Sequence, residues 1–141
     1  MRIAVIDGQG GGIGKYIVQR CRAELPTALE MIALGTNSLA TAAMLKAGAN
    51  DGATGENAIC LVSQKVDVIV GSLAIICANS FLGELTPKMA QAIADAPAKK
   101  LLLPLNRINI SVIGASAEPL PHQVDMLLRQ IQQLWEEKFH V

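Results

Sequence analysis

Five of the seven residues from Gly8 to Gly14 are glycine. They lie between an aliphatic run, Arg2-Ile-Ala-Val-Ile-Asp7, and a stretch that places Ile13, Ile17 and Cys21 at helical spacing. A strand, a glycine turn and a helix in that order form the first half of a crossover unit in an α/β domain. Glycine permits positive φ and a close approach of the backbone to a neighbour or ligand. The first N–H groups of a helix have no acceptor inside it, so such a turn offers donors and a positive dipole end to an anion. The plain alternative is a turn that serves only to pack the helix tightly on the sheet.

The remaining elements follow from the same reading. Hydrophobic residues make up 51% of the chain and aromatics 3%, so the core is aliphatic and suits parallel strands buried on both faces. The first helix ends near Glu24, ahead of Pro26, and a second strand, Leu29 to Leu34, stops at Gly35. Ser38 to Ala47 reads as a helix capped by Asn37 or Ser38 and stopped by Gly48. Thr54 to Gln64 is a short helix with Glu56 in its first turn, and Val66 to Val70 is the third strand. Ser72 to Leu82 is apolar almost throughout; its length favours a helix over a strand, although periodicity does not decide. Thr86-Pro87 starts a helix that runs to Ala96 and is closed by Pro97. Lys100 to Pro104 is the fourth strand and Asn109 to Ile113 the fifth. Only Leu105 to Ile108 separate these two, whereas a parallel crossover takes about a dozen residues or more, so the fifth strand is expected to run antiparallel. Val124, Leu127, Leu128, Ile131, Leu134 and Trp135 give a last amphipathic helix from Pro121 to Lys138. The expected architecture is a single Rossmann-like three-layer α/β domain over residues 1–141. Its mostly parallel five-stranded sheet has the order 2-1-3-4-5, counting predicted strands along the chain, with an antiparallel edge strand. Ligands of such sheets sit beyond the carboxyl ends of the strands, here between the first and third.

Charge and cysteine content narrow the function classes. Twelve basic and twelve acidic residues cancel, which argues against nucleic acid as a partner. Cys21, Cys60 and Cys77 are odd in number and widely spaced, as buried thiols of a cytoplasmic protein are. The apolar stretch Ile3 to Ile6 is too short for a signal peptide, and Val68 to Gly83 is shorter than the ~20 residues of a spanning helix. A cytoplasmic protein without a membrane partner is expected. His122 and His140 flank the last helix as surface residues, and no metal site is expected.

The type of glycine turn decides the ligand class. A dinucleotide GxGxxG fails, because Ile13 stands where its last glycine belongs. The Walker pattern GxxxxGK[ST] fails at Gln9 and Tyr16; the GGxGK[ST] variant of partitioning-type ATPases fits Gly11 to Lys15 and fails at Tyr16. The spacing GxxxGxG does fit, at Gly8, Gly12 and Gly14. With Ile13 between the last two, this resembles the TGxxxGIG loop of short-chain dehydrogenases, with Asp7 in place of Thr, and the resemblance ends near Gly35. It implies a nicotinamide dinucleotide bound on Gly8, Gln9, Gly10, Gly11, Gly12, Ile13, Gly14 and Lys15. The family's Tyr-x-x-x-Lys pair is absent, since Tyr16 is the one tyrosine, and no acid follows the second strand. Asn37 there suits a ribose, and Thr36 or Ser38 a phosphate, which leaves NAD and NADP both open.

Further candidates lie elsewhere. Asn106 and Arg107 follow the fourth strand on the same edge of the sheet; Arg107 suits a phosphate, Asn106 a base or amide, and both suit a plain turn. The second glycine-rich segment, Gly48 to Asn57, carries Asp51, Glu56 and Asn57 and reads as a joining loop or one that folds back over the site. Leu73 to Phe81 is the expected surface for homo-oligomerisation. Asn79, Ser80 and Glu84 interrupt or follow this stretch and face either a ligand or a partner. Nearly end to end, the chain is similar to a family of short uncharacterised bacterial proteins, a domain of unknown function. The likeness is carried by Asp7 to Lys15, Ala33 to Ser38, Gly52 to Asn57, Gly83 to Pro87 and Pro104 to Arg107. It implies a bacterial source and no activity. The expectation is therefore a nucleotide-binding protein, with NAD or NADP as leading ligand, acting as a sensor or small oxidoreductase. The alternatives are an ATP- or GTP-binding protein with a degenerate Walker loop, and a homo-oligomeric interaction module without ligand.

Overall fold

The computed structural model describes residues 1–105 and 108–141. Along the chain run β1 (Arg2–Asp7), α1 (Gly12–Glu24), β2 (Glu30–Gly35), α2 (Ser38–Ala47), β3 (Asp51–Thr54), α3 (Glu56–Val62), β4 (Val68–Ser72), α4 (Pro87–Asp95), β5 (Lys99–Leu103) and α5 (Leu120–Phe139). The sheet has the order β3-β2-β1-β4-β5, and every pairing is parallel.

The aliphatic strands bury both faces. In β1, Ile3 and Val5 face a cluster with Ile17, Val18 and Cys21 of α1, Met44 of α2 and Val124, Leu127, Leu128 and Ile131 of α5. Ala4 and Ile6 face the opposite cluster, with Ile59 of α3 and Met89, Ala90 and Ile93 of α4. Helices thus cover the sheet on both sides, the three-layer arrangement expected of continuous aliphatic strands. Asn37 caps α2 by accepting from the Ala40 N–H at 2.9 Å. Thr86 caps α4 by accepting from the Met89 N–H at 3.2 Å, with Pro87 in its first turn.

Three expectations are corrected. The four aliphatic strands take the expected relative order, but the fifth strand joins the opposite edge. Asp51–Thr54, read as a loop, pairs with β2 from Ile32↔Asp51 to Gly35↔Thr54. It is short, polar and mostly exposed, as edge strands often are, so no hydrophobic pattern marks it. Residues 109–113 form no strand, and no antiparallel edge exists among the described residues. Asn109 turns at φ 53°, and Ile110, Val112 and Ile113 are exposed, Ile113 at 96%. Alternating apolar residues there mimic a strand without a face to bury. The stretch Ser72 to Leu82 is not an α-helix: Leu73–Ile76 form one 3-10 turn, and Asn79, Phe81, Leu82 and Gly83 all take positive φ, which no helix tolerates.

Amide hydrogen exchange checks the corrected edge. The Asn50 N–H, bonded to Met31 O at 2.8 Å, and the Gly55 N–H, bonded to Gly35 O at 2.9 Å, should exchange slowly. The amides of residues 110–113 should exchange at open-chain rates; protection there with none at Asn50 and Gly55 would restore the antiparallel edge.

Candidate functional site

β1 and β4 are neighbours whose connections leave on opposite sides, so the crevice at their carboxyl ends is the switch point of the sheet. A cleft of about 550 Å³ opens there. The glycine segment from Asp7 to Ile13 forms one wall; Ser72, Ala74, Phe81 and Leu82 form the second; Leu105, Ile108 and Leu120 form the third. The size falls within the range of small-molecule sites, and the lining combines apolar side chains with a few fixed polar groups. A second depression, of about 470 Å³, runs between α1 and α5 along Glu24, Arg129, Gln132 and Glu136. It is an open groove walled largely by charged and amide surface groups, without backbone donors converging on it.

Asp7 organises the glycine wall. Its buried carboxylate accepts from the Gly8 N–H at 2.8 Å through Oδ1 and from the Gly14 N–H at 2.7 Å through Oδ2. The second bond caps the first turn of α1, a function that Gly11 at the cap position has no side chain to perform. Gly11 closes a turn onto Gly8 O at 3.0 Å. The N–H groups of Gly10, Gly12 and Ile13 have no acceptor among the described residues and border the cleft.

The glycines divide into two kinds. Gly11 has φ 72°, and a Cβ there would lie 2.7 Å from the Ala40 Cα; a Cβ on Gly8 would lie 2.7 Å from Thr36 Oγ1 and 2.8 Å from the Phe81 ring. Gly14 meets Met44 Sδ at 2.5 Å and Asp7 Cβ at 3.0 Å. These three are explained by packing. Around Gly10 and Gly12 an added Cβ meets nothing within 4 Å. Packing gives no reason for glycine at these two, and both line the cleft.

Other expected site residues do not line the cleft. Lys15 is exposed and does not line the cleft. Thr36 and Asn37 sit at the end of β2, on a network centred on Glu84. Glu84 Oε1 accepts from the Gln9 N–H at 2.9 Å, Thr36 Oγ1 at 2.7 Å and Asn37 Nδ2 at 3.0 Å. Glu84 Oε2 accepts from Asn37 Nδ2 at 3.2 Å, and Asn37 Nδ2 also donates to Gln9 O at 2.8 Å. Hydrogen bonds from Gln9, Thr36 and Asn37 outweigh partial burial and hold the Glu84 carboxyl below the usual glutamate range. Asn106 and Arg107 lie outside the described residues. The segment Gly48 to Asn57 does not fold over the cleft; it carries β3, and Glu56 accepts from Thr86 Oγ1 at 2.6 Å. Tyr16 is structural: its hydroxyl accepts from Arg20, which also pairs with Glu24 and with Asp125 of α5. Burial pushes the Cys21 thiol up to about 12, while Cys60 and Cys77 are half-buried. Among the described residues, no group of three His, Cys, Asp or Glu side chains is arranged to hold a metal, and no helix is long and apolar enough to cross a membrane.

The model of one family, Domain of unknown function (DUF3842), matches residues 2–136. The chain belongs to this family. No curated protein matches this DUF3842 chain. Among solved structures it is similar to a dodecameric FMN-dependent UbiX-like decarboxylase from Escherichia coli O157:H7. The two are 13% identical, with 100% of this chain and 96% of that chain covered and a TM-score of 0.48; a likeness at this level carries no functional argument.

The cleft of this DUF3842 domain also contains residues that sequence reasoning passed over. Ser72 ends β4 and Ala74 follows it at the crevice, a position that the sheet order alone assigns to the site. Phe81 and Leu82 are brought over the glycine wall by positive φ values of 56° each, which the sequence does not signal.

The two kinds of glycine predict opposite effects on stability. Gly11→Ala forces a side chain into left-handed backbone and against the Ala40 backbone, and should cost about 2–4 kcal/mol in urea unfolding. Gly12→Ala, on the first turn of α1 with open space, should be neutral or stabilise by up to ~1 kcal/mol. Equal losses at both would reject the division.

Proposed function

We propose that the chain binds NAD or NADP across the glycine wall. The observation that carries this reading is the row of acceptor-free N–H groups at Gly10, Gly12 and Ile13, fronted by the two glycines whose missing side chains leave open space. Those donors suit phosphate oxygens at a helix start. The apolar walls from Ile13, Phe81, Leu105 and Leu120 suit a flat ring. The exposure of Lys15 outside the cleft favours a dinucleotide over ATP or GTP, whose terminal phosphates a glycine-loop lysine would reach. Asp7, Gln9 and Ser72 are the polar side chains among the described lining residues, which supports a binding or sensing role more than a self-sufficient oxidoreductase.

Calorimetric titration with NADH, NADPH, ATP and GTP tests the reading. One of the dinucleotides should bind, with ATP and GTP weaker. Gly12→Val should fold normally, since its Cβ has room, and weaken dinucleotide binding by about tenfold or more by crowding the N–H row. Absence of dinucleotide binding by the wild-type chain would reject the proposal.

A second reading, self-association, rests on a separate observation. Within Leu73 to Phe81, Ala74 and Ile75 are core residues and Phe81 packs beside them, so this stretch is largely used inside the chain. The two most exposed large apolar residues among those described are its neighbour Leu82, at 95%, and Ile113, at 96%. Light scattering should give a mass above that of one chain, reduced by Leu82→Glu; a monomer at all concentrations would exclude this reading.

A further inference from the structure

We propose that Glu84 selects between the two nicotinamide dinucleotides, reading the adenosine ribose at the tip of β2 and excluding a 2′-phosphate; this rests on the dinucleotide reading above. In dinucleotide-binding α/β domains a carboxylate at the end of the second strand accepts from the ribose 2′-hydroxyl. Here β2 ends at Gly35, and Thr36-Asn37-Ser38 supply no acid. A carboxylate stands at that place all the same, delivered by the loop that follows β4. Glu84 Oε1 lies 2.7 Å from Thr36 Oγ1 and is filled by three donors. Oε2 accepts one long bond, 3.2 Å from Asn37 Nδ2. A carboxylate oxygen has two lone pairs, so Oε2 retains capacity for a ribose hydroxyl.

The placement suits the rest of the site. The Gln9 N–H that donates to Glu84 belongs to the same turn whose Gly10 N–H borders the cleft. A ribose at Glu84 and a diphosphate along Gly10 to Ile13 are therefore adjacent stations on one path. The three bonds to Oε1 fix the negative charge, and a phosphate dianion brought to the same spot meets it at short range. Repulsion between a unit charge and a dianion at that range is enough to lower affinity by about tenfold or more.

A tie that merely fastens the loop would produce the same hydrogen bonds, so the test reads a ratio. The full chain and Glu84→Gln are titrated with NADH and with NADPH by calorimetry. Glutamine keeps an acceptor oxygen for the donors on Oε1 and removes the charge. The wild-type chain should favour NADH by about tenfold or more, and Glu84→Gln should shrink that preference to about threefold or less by gaining affinity for NADPH. A gain does not arise from a loosened loop, which weakens both ligands together. If both weaken together at constant ratio, or if the wild type binds the two alike, the selection role is overturned while dinucleotide binding stands. If neither binds the wild type, the dinucleotide reading fails and this inference with it. Should Glu84→Gln fail to fold, Glu84→Asp, which draws the carboxylate back, must lower the same preference; an unchanged preference overturns the proposal.

Discussion

The bond pair made by Asp7 sets the geometry on which the rest of the site depends. One carboxylate joins the last residue of β1 to the N–H of Gly8 beside it and to the N–H of Gly14 in the first turn of α1. Hydrogen bonds to a charged acceptor contribute about 1.5–3 kcal/mol each, enough to fix the angle at which the helix leaves the strand. The same bonds decide which donors remain. Gly14 is satisfied inside the protein, and the N–H groups of Gly12 and Ile13 are left at the cleft. A ligand anion therefore meets α1 at its first two N–H groups, those of Gly12 and Ile13, and not at the third.

That arrangement changes the meaning of a glycine-rich segment. Five glycines in seven residues invite a single explanation, yet the structure assigns two. Gly8, Gly11 and Gly14 let Phe81, Ala40 and Met44 approach the turn to distances that a Cβ would forbid. Without them α1 could not lie as close to α2 and the sheet as it does. Gly10 and Gly12 have no such neighbour. The spacing that resembles short-chain dehydrogenases, Gly8-Gly12-Gly14, therefore mixes two packing positions with one facing the cleft, and a match to that spacing alone overstates how much of it is devoted to a ligand.

Much of this was legible in the chain. Strands such as Arg2–Asp7 and Val68–Ser72 are aliphatic because both faces are covered, and continuous aliphatic runs are readable without a fold. The caps at Asn37 and Thr86 are local, with donor and acceptor three residues apart, so sequence shows them too. What escaped was either unpatterned or distant. Asp51–Thr54 is an edge strand held by backbone bonds to β2, and its side chains bury too little to leave a period. Residues 110–113 have the period and no partner. The Glu84 network joins residues 75 apart in the chain at Gln9 and 48 apart at Thr36, and no local rule connects them.

The loop from Cys77 to Leu85 is where local preference and tertiary structure disagree most. Asn79, Phe81 and Leu82 all adopt left-handed backbone, and for residues with a Cβ this costs about 1–2 kcal/mol each. The cost persists only because other contacts exceed it. Ser80 Oγ donates to Ala74 O at 2.6 Å, the Asn79 N–H donates to Leu85 O at 2.7 Å, and Leu85 is fully buried. Phe81 rests on Gly8, which has no Cβ to obstruct it. An apolar sequence that prefers helix is thereby bent into turns, and the bend has two products: Phe81 and Leu82 are carried over the cleft, and the carboxylate of Glu84 is carried to the end of β2. A helix through the same residues would put neither the Phe81 ring over the cleft nor the Glu84 carboxylate at the end of β2, so the strain of this loop is what joins the β4 side of the sheet to the glycine wall.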